Sequence, residues 1–110
     1  MEVKIPLERR VLGINIAEAC ISAADEYGLE SHELSKNGSG YDLRFSYPGK
    51  AKDILTVKGI TSRGQREITL ATNDDLRVRA ARDIIEGYRR ILATQLQFGW
   101  GSNGVSQKTV

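Results

Sequence analysis

Cysteine, histidine and long apolar runs are scarce in this chain of 110 residues, which has one cysteine and one histidine. Because a single cysteine cannot form an internal disulfide, we interpret Cys20 as a buried helix residue. One histidine and one cysteine also argue against a structural zinc site. No apolar run approaches the ~18 residues that span a bilayer, and charged residues stand at the N-terminus where a signal peptide needs an apolar core. These features favour a cytoplasmic protein and argue against a membrane partner.

Length and charge distribution limit how the chain is organised. A chain of this length forms one domain, which buries roughly 65% of the surface that the unfolded chain exposes. We assign residues 1–97 to a single α+β domain, and residues 98–110, which include several glycines and serines, to a flexible C-terminal tail. A net charge of +2 identifies no partner. The charges are unevenly distributed, however, since arginines are concentrated in residues 63–90 and acidic residues in residues 18–33.

The N-terminal part of the chain shows one short extended segment and one helical pattern. Residues 3–7 form a strand or an extended lead-in, which Pro6 confines to the edge of a sheet. A helix is predicted from about residue 9 to 27, because apolar residues recur at three- and four-residue spacing (Ile14, Ala17, Ile21 and Ala24). Gly28 is predicted to end this helix, and the segment 35–42 is predicted to be a loop.

After residue 40 the hydrophobic period changes from helical to alternating, which indicates strands. Three strands are predicted, separated by two turns, at residues 41–47, 54–60 and 67–72. Asn73 or Asp74 can cap a second helix that runs from Asp75 into the nineties. The predicted fold is therefore α+β, with a three-stranded antiparallel meander flanked by an N-terminal and a C-terminal helix.

Strand alternation gathers four polar side chains on one face of this meander: Asp42, Thr56, Lys58 and Glu67. Such a face is either a site or simply the solvated side of an antiparallel sheet with cross-strand ion pairs. Glu18 falls at the margin of the apolar arc of the first helix. It is therefore either placed beside the sheet or is an ordinary surface glutamate.

Short motifs follow one another in a fixed order between residues 11 and 92. They are a helix glutamate (Glu18), GYDL at 40–43, TVKGIT at 56–61, ITLATND at 68–74 and AARDIIEGYRRIL at 80–92. This order resembles the PD-(D/E)XK nuclease superfamily, and most closely the small domain named after the C-terminal part of the NO VEIN protein. The resemblance implies a restriction-endonuclease-like core.

The resemblance also implies a metal-dependent phosphodiesterase site. Asp42 and a second carboxylate would hold Mg²⁺, Lys58 would orient the attacking water, and Glu18 would support the metal or a bound water. In this chain Thr56 stands where the family has an acid on the strand, which leaves Glu67 of the neighbouring strand as the possible second ligand. We therefore expect weak Mg²⁺ binding and impaired catalysis.

The second helix carries a basic face. On a helical wheel its apolar residues gather on one side, and four arginines gather on the other: Arg79, Arg82, Arg89 and Arg90. Arginine forks suit phosphates, so we predict binding to DNA or RNA. The alternative is a solvated face paired within the helix, as Arg82–Glu86 and Glu86–Arg90.

Two functional hypotheses follow from the sequence. The first is a nuclease-like nucleic-acid-binding domain with impaired catalysis, and the second is a non-catalytic protein–protein interaction module of the same small fold. A third interpretation is that the motifs match by accident in an unrelated α+β protein.

Overall fold

The predicted α+β fold is confirmed by a computed structural model, which describes residues 1–32 and 34–96. Along the chain the elements are β1 (Glu2–Val11), α1 (Gly13–Glu26), β2 (Glu30–Ser31), β3 (Ser35–Asn37), β4 (Gly40–Ser46), β5 (Leu55–Ile60), β6 (Gln65–Thr72) and α2 (Val78–Leu96). The tail predicted at 98–110 lies outside the described residues, so its flexibility stays a prediction.

The strands form one six-stranded antiparallel sheet in the order β1-β6-β5-β4-β2, with β3 also paired to β4. The predicted three-stranded meander is confirmed as β4-β5-β6, which lies at the centre of this larger sheet. The loop predicted at 35–42 is wrong, because residues 35–37 pair with β4 through a tight turn in which Gly38 has a φ of +63°. The placement of Pro6 on an edge strand is confirmed, since β6 is the one strand of the described ranges with which β1 pairs.

Both helices pack on the same face of the sheet, and the hydrophobic core lies between the helices and the sheet. Apolar residues at alternate positions of the strands point to this face and are almost fully buried: Ile5, Leu7, Leu43, Phe45, Leu55, Val57, Ile68 and Leu70. Tyr88 of α2 is fully buried and meets Phe45 edge-on, with ring centroids 6.2 Å apart. The opposite face of the sheet has no helix over it among the described elements and carries the polar residues.

The structure corrects two predictions for the first helix. Arg9 and Arg10 belong to β1, because Val11 still pairs with Gln65, and the helix begins at Gly13. Ile14 and Ile21 are 60% and 39% exposed rather than part of the core. The buried side of α1 instead consists mostly of small residues, which let the helix approach the sheet closely: Gly13, Ile16, Ala17, Ala19, Cys20, Ala23 and Ala24.

The ends of the helices follow local hydrogen bonding. Gly28, at a φ of +66°, ends α1 as predicted: its N–H donates to Asp25 and the next N–H, of Leu29, to Ala24. Asn73 organises a turn before α2, since its side-chain oxygen accepts the N–H of Asp75, but the helix itself begins at Val78. Within the described ranges, neither helix is long and apolar enough to cross a membrane.

Candidate functional site

Asp42 and Lys58 lie next to each other at a β-bulge between β4 and β5. Tyr41 pairs with Ile60 and Leu43 with Val57, so one extra residue of β5 lies opposite Asp42. Gly59, at a φ of +67°, absorbs the bulge, and its N–H donates to Asp42 Oδ1 at 2.9 Å. The same oxygen accepts a hydrogen bond from Asn37 Nδ2 at 2.9 Å. The Asp42 carboxylate therefore holds the bulge and the β3–β4 hairpin together.

Lys58 and Glu67 share the polar face, but each has a charged partner on β1. Lys58 Nζ lies 3.2 Å from Glu2 Oε2, and Lys4 Nζ lies 3.9 Å from Glu67 Oε1. The two pairs line a shallow groove of about 620 Å³ that also includes Gly59 and Arg66. Cross-strand pairing thus neutralises most of the charge that the sequence places on this face.

Glu18 is separated from this groove by the sheet. It is exposed on α1, on the helical side, and lines a different cavity of about 330 Å³ together with Arg9, Arg10 and Gln95. Asp42 and Lys58 project from the opposite side of the sheet, because Leu43 and Val57, their neighbours along the strands, point into the core. The structure therefore does not bring Glu18 together with the other residues of the predicted catalytic set.

The donor set available for a metal is small. Thr56, the residue in place of the family's acid, faces Ala71 on one side and Arg44 on the other. In the described part of the chain, no three side chains of histidine, cysteine, aspartate or glutamate are grouped so that they could share an ion. A cation at Asp42 would also lie near the ammonium of Lys58. Weak Mg²⁺ binding by Asp42 and Glu67 stays a prediction.

The arginines of α2 lie on the outer surface of the helix layer. Arg79, Arg82 and Arg90 are exposed, and Arg89 is half-buried. The predicted pairs with Glu86 at a spacing of four are not formed. Instead Arg89 Nη1 lies 3.6 Å from Glu86 Oε1 at a spacing of three. The opposite side of the helix is buried against the sheet and α1, as the wheel predicted, with Ile84, Ile85, Tyr88 and Leu92 inside.

A cluster that sequence reasoning missed lies at the other end of the polar face. His32 Nε2 lies 2.6 Å from Ser46 Oγ and 3.5 Å from Asp53 Oδ1, and Arg44 Nη1 lies 3.4 Å from Asp53 Oδ2. These are the residue types of a nucleophilic triad, but serine and aspartate approach the same ring nitrogen, whereas a triad needs opposite nitrogens. Ser46 is also completely buried.

We interpret this cluster as a structural network that fixes the loop before β5. The alternation of β4 already placed Arg44 and Ser46 on one face, and this was the only signal for it. His32 and Asp53 lie in segments without periodicity, so their approach to β4 could not be deduced from the sequence.

Comparisons of the chain with protein-family models, with curated proteins and with solved structures find no match. The resemblance to the nuclease superfamily therefore depends on the motifs and their order alone.

Proposed function

We propose that this chain is a nuclease-like nucleic-acid-binding domain that contacts phosphates through α2 and has little or no metal-dependent cleavage activity. The observation that carries the proposal is the state of Arg79, Arg82 and Arg90. All three are exposed, and none of their guanidinium groups forms an ion pair or a hydrogen bond with another described residue.

These three arginines differ from other cations of the chain. Lys4, Lys52 and Lys58 each have a carboxylate partner, as does Arg44. A cation that is already paired gains little from a phosphate, whereas an unpaired exposed guanidinium can neutralise one and release its counterion. Residues 79 and 90 are about 16 Å apart along the helix axis, which is the axial rise of roughly five nucleotides of one strand.

Impaired cleavage is supported by the state of the polar face. Phosphodiester hydrolysis with Mg²⁺ needs carboxylates that can leave their protein partners for the metal. Asp42 Oδ1 is engaged by two donors, Glu67 is paired with Lys4, and Thr56 offers no carboxylate. We therefore propose binding without efficient hydrolysis.

The test is the salt dependence of binding to a short DNA duplex, measured by fluorescence anisotropy. If Arg82 and Arg90 each neutralise one phosphate, the double variant Arg82→Ala/Arg90→Ala should lower the slope of log K against log salt by about 1.8, from about 0.9 per contact. Incubation of labelled duplex with the native chain and Mg²⁺ should yield no cleavage above a protein-free control.

The matched control is Lys36→Ala/Lys50→Ala, which removes the same net charge from two exposed lysines away from α2. It should leave the slope almost unchanged. An equal loss in both double variants would show that only net charge matters, and no saturable binding at low salt would refute the proposal.

The alternative function, a protein–protein interaction module, is favoured by one observation. Ile14 and Ile21 are exposed two turns apart on the same side of α1. Large apolar side chains exposed on the same side of a helix can mark an interaction site. Concentration-dependent sedimentation that Ile14→Glu/Ile21→Glu abolishes would support self-association through this side. A monomer at all concentrations would argue against it.

A further inference from the structure

A cavity of about 490 Å³ lies where the end of β1 meets the turn between β5 and β6. It is lined by Arg10, Ser39, Thr61, Ser62, Arg63 and Gly64. The register of β1 explains its position. Between the pairs Pro6–Glu67 and Val11–Gln65, four residues intervene along β1 but only one along β6. The strand therefore bulges, and Arg10 lies beside the turn.

The chemistry of this lining differs from that of the two cavities described above. The groove on the polar face includes Glu2 and Glu67, and the cavity at the end of α2 includes Glu18. The lining of the third cavity has two guanidinium groups and three hydroxyl groups but no carboxylate. Neither Arg10 nor Arg63 forms an ion pair with a described residue. Its electrostatic potential therefore favours an anion.

The turn at this cavity is held in place by its own hydrogen bonds. Thr61 Oγ1 donates to the Gly64 carbonyl at 2.9 Å, and the Thr61 N–H donates to Gln65 Oε1 at 2.8 Å. Gly64 has a φ of +97°, and a Cβ there would lie 2.9 Å from Arg10 Cγ. The glycine thus lets the stem of Arg10 pack directly on the turn. The backbone of the turn is thus already ordered before a ligand binds, which lowers the entropic cost of binding.

We propose that this cavity binds the phosphate group of a phosphomonoester or of free inorganic phosphate. Arg10 and Arg63 present forked donors that match tetrahedral oxyanions, and the serine hydroxyls can donate to the remaining oxygens. The backbone N–H groups of Ser62 and Arg63 have no acceptor among the described residues, so they too are available. The site shares no residue with the arginines of α2 and does not depend on the function proposed for them.

The test is a titration with sodium phosphate, followed by the amide resonances of uniformly ¹⁵N-labelled protein, against sodium chloride at matched ionic strength. The pH is kept at about 8, because the second pKa of inorganic phosphate is about one unit above the value of about 6 for a phosphomonoester, so that the dianion predominates for both. Phosphate should cause saturable shifts of the Ser62, Arg63 and Gly64 amides that chloride does not reproduce. Arg63→Ala should weaken binding by about tenfold to a hundredfold, as expected for a charge-assisted contact.

Arg66→Ala is the matched control, because it removes the same charge three residues further on, where the side chain lines the groove on the polar face. It should leave phosphate binding unchanged. Arg63→Lys should restore only part of the affinity, since an ammonium lacks the fork. Shifts that are absent in the native chain, reproduced by chloride, or unchanged in Arg63→Ala would overturn the proposal.

A short oligodeoxynucleotide with and without a 5′-phosphate identifies the source of the phosphate. If Arg63→Ala weakens binding of the phosphorylated strand alone, the cavity takes the terminal phosphate of a nucleic acid. If Arg63→Ala affects neither strand but abolishes the shifts caused by inorganic phosphate, the ligand is a small free phosphate. The α2 arginines are intact in this variant, so failure here is distinguishable from failure of nucleic-acid binding at α2.

Discussion

The carboxylate of Asp42 has two interpretations that can be separated by experiment. As a metal ligand it would need its negative charge. As the acceptor for Gly59 N–H and Asn37 Nδ2 it needs only an oxygen in the right place. The structure favours the second role, because both hydrogen bonds converge on the same atom, Oδ1, at the centre of the bulge.

We expect Asp42→Asn to fold with nearly native stability, because its amide oxygen can accept the same two hydrogen bonds. Asp42→Ala should lower the free energy of unfolding by about 1–3 kcal/mol, since the half-buried N–H of Gly59 and the exposed amide of Asn37 lose their acceptor. Urea denaturation of both variants measures this difference. A loss in Asp42→Asn as large as in Asp42→Ala would mean that the charge itself matters.

Cys20 and Tyr88 are two ionisable residues that the core keeps neutral. Burial raises the pKa of the Cys20 thiol from its ordinary 9.0 to about 12. Burial is also the main cause that raises the pKa of Tyr88, whose hydroxyl has no hydrogen-bond partner among the described residues. In the unfolded chain both groups would ionise at their ordinary values.

The stability of the protein should therefore fall as pH rises from 9 towards 12, because the unfolded chain releases the Cys20 proton in that range and the folded chain retains it. Urea denaturation as a function of pH measures the fall. Cys20→Ala should reduce its steepness, and Tyr88 accounts for part of the remainder. If the variant and the native chain lose stability equally over this range, Cys20 is accessible to solvent in the folded state.

The packing of α2 against the end of α1 depends on a glycine in the middle of a helix. A Cβ at Gly87 would lie 1.5 Å from Tyr27 Oη and 2.2 Å from its ring carbon Cζ. Tyr27 cannot simply move aside, because its ring is stacked on the buried Tyr88, with centroids 6.2 Å apart. The two helices therefore approach each other through one small residue on α2 and one aromatic residue directly after α1.

Replacement of a helical glycine by alanine usually stabilises a protein by up to about 1 kcal/mol. Here we expect the opposite sign: Gly87→Ala should destabilise by about 1–3 kcal/mol, as for other overpacked cores. In a Tyr27→Ala background the same change should become neutral or stabilising. Thermal denaturation of the four proteins completes the cycle, and an equal effect in both backgrounds would exclude the clash as the cause.

For the molecule as a whole, the alternating strands were the most predictable feature. Leu43, Phe45, Leu55, Val57, Ile68 and Leu70 all point inward as the period of two requires. The N-terminal helix was less predictable, because Ile14 and Ile21 match a helical period while the true buried face uses alanines and Cys20, which contribute weakly to a hydrophobic pattern. The extension of β1 to Val11 depends on pairing with β6, which no local pattern reveals.

The candidate sites also contain parts that the sequence could predict and parts that it could not. Alternation correctly placed Lys58 and Glu67 on one face, because it needs only the strand period. The bulge at Gly59 interrupts this period between the neighbouring strands β4 and β5, and the cluster of His32 with Asp53 depends on how separate segments meet. The cavity at Arg63 depends on the irregular register of β1. Features that follow the strand period could therefore be predicted, whereas irregular strand pairing and contacts between distant segments could not.

The pairing of β1 with β6 has a consequence for the order of assembly. Val3 pairs with Leu70, whereas the strands β4, β5 and β6 follow one another through short turns. Contacts between neighbouring strands close short loops, and a pairing across most of the domain closes a long one, at greater entropic cost. During synthesis β1 has no partner until residues 65–71 have left the ribosome. β1 is made before the other strands of this sheet and is thus among the last to be enclosed in it, and until then its apolar residues Ile5 and Leu7 are exposed to other chains.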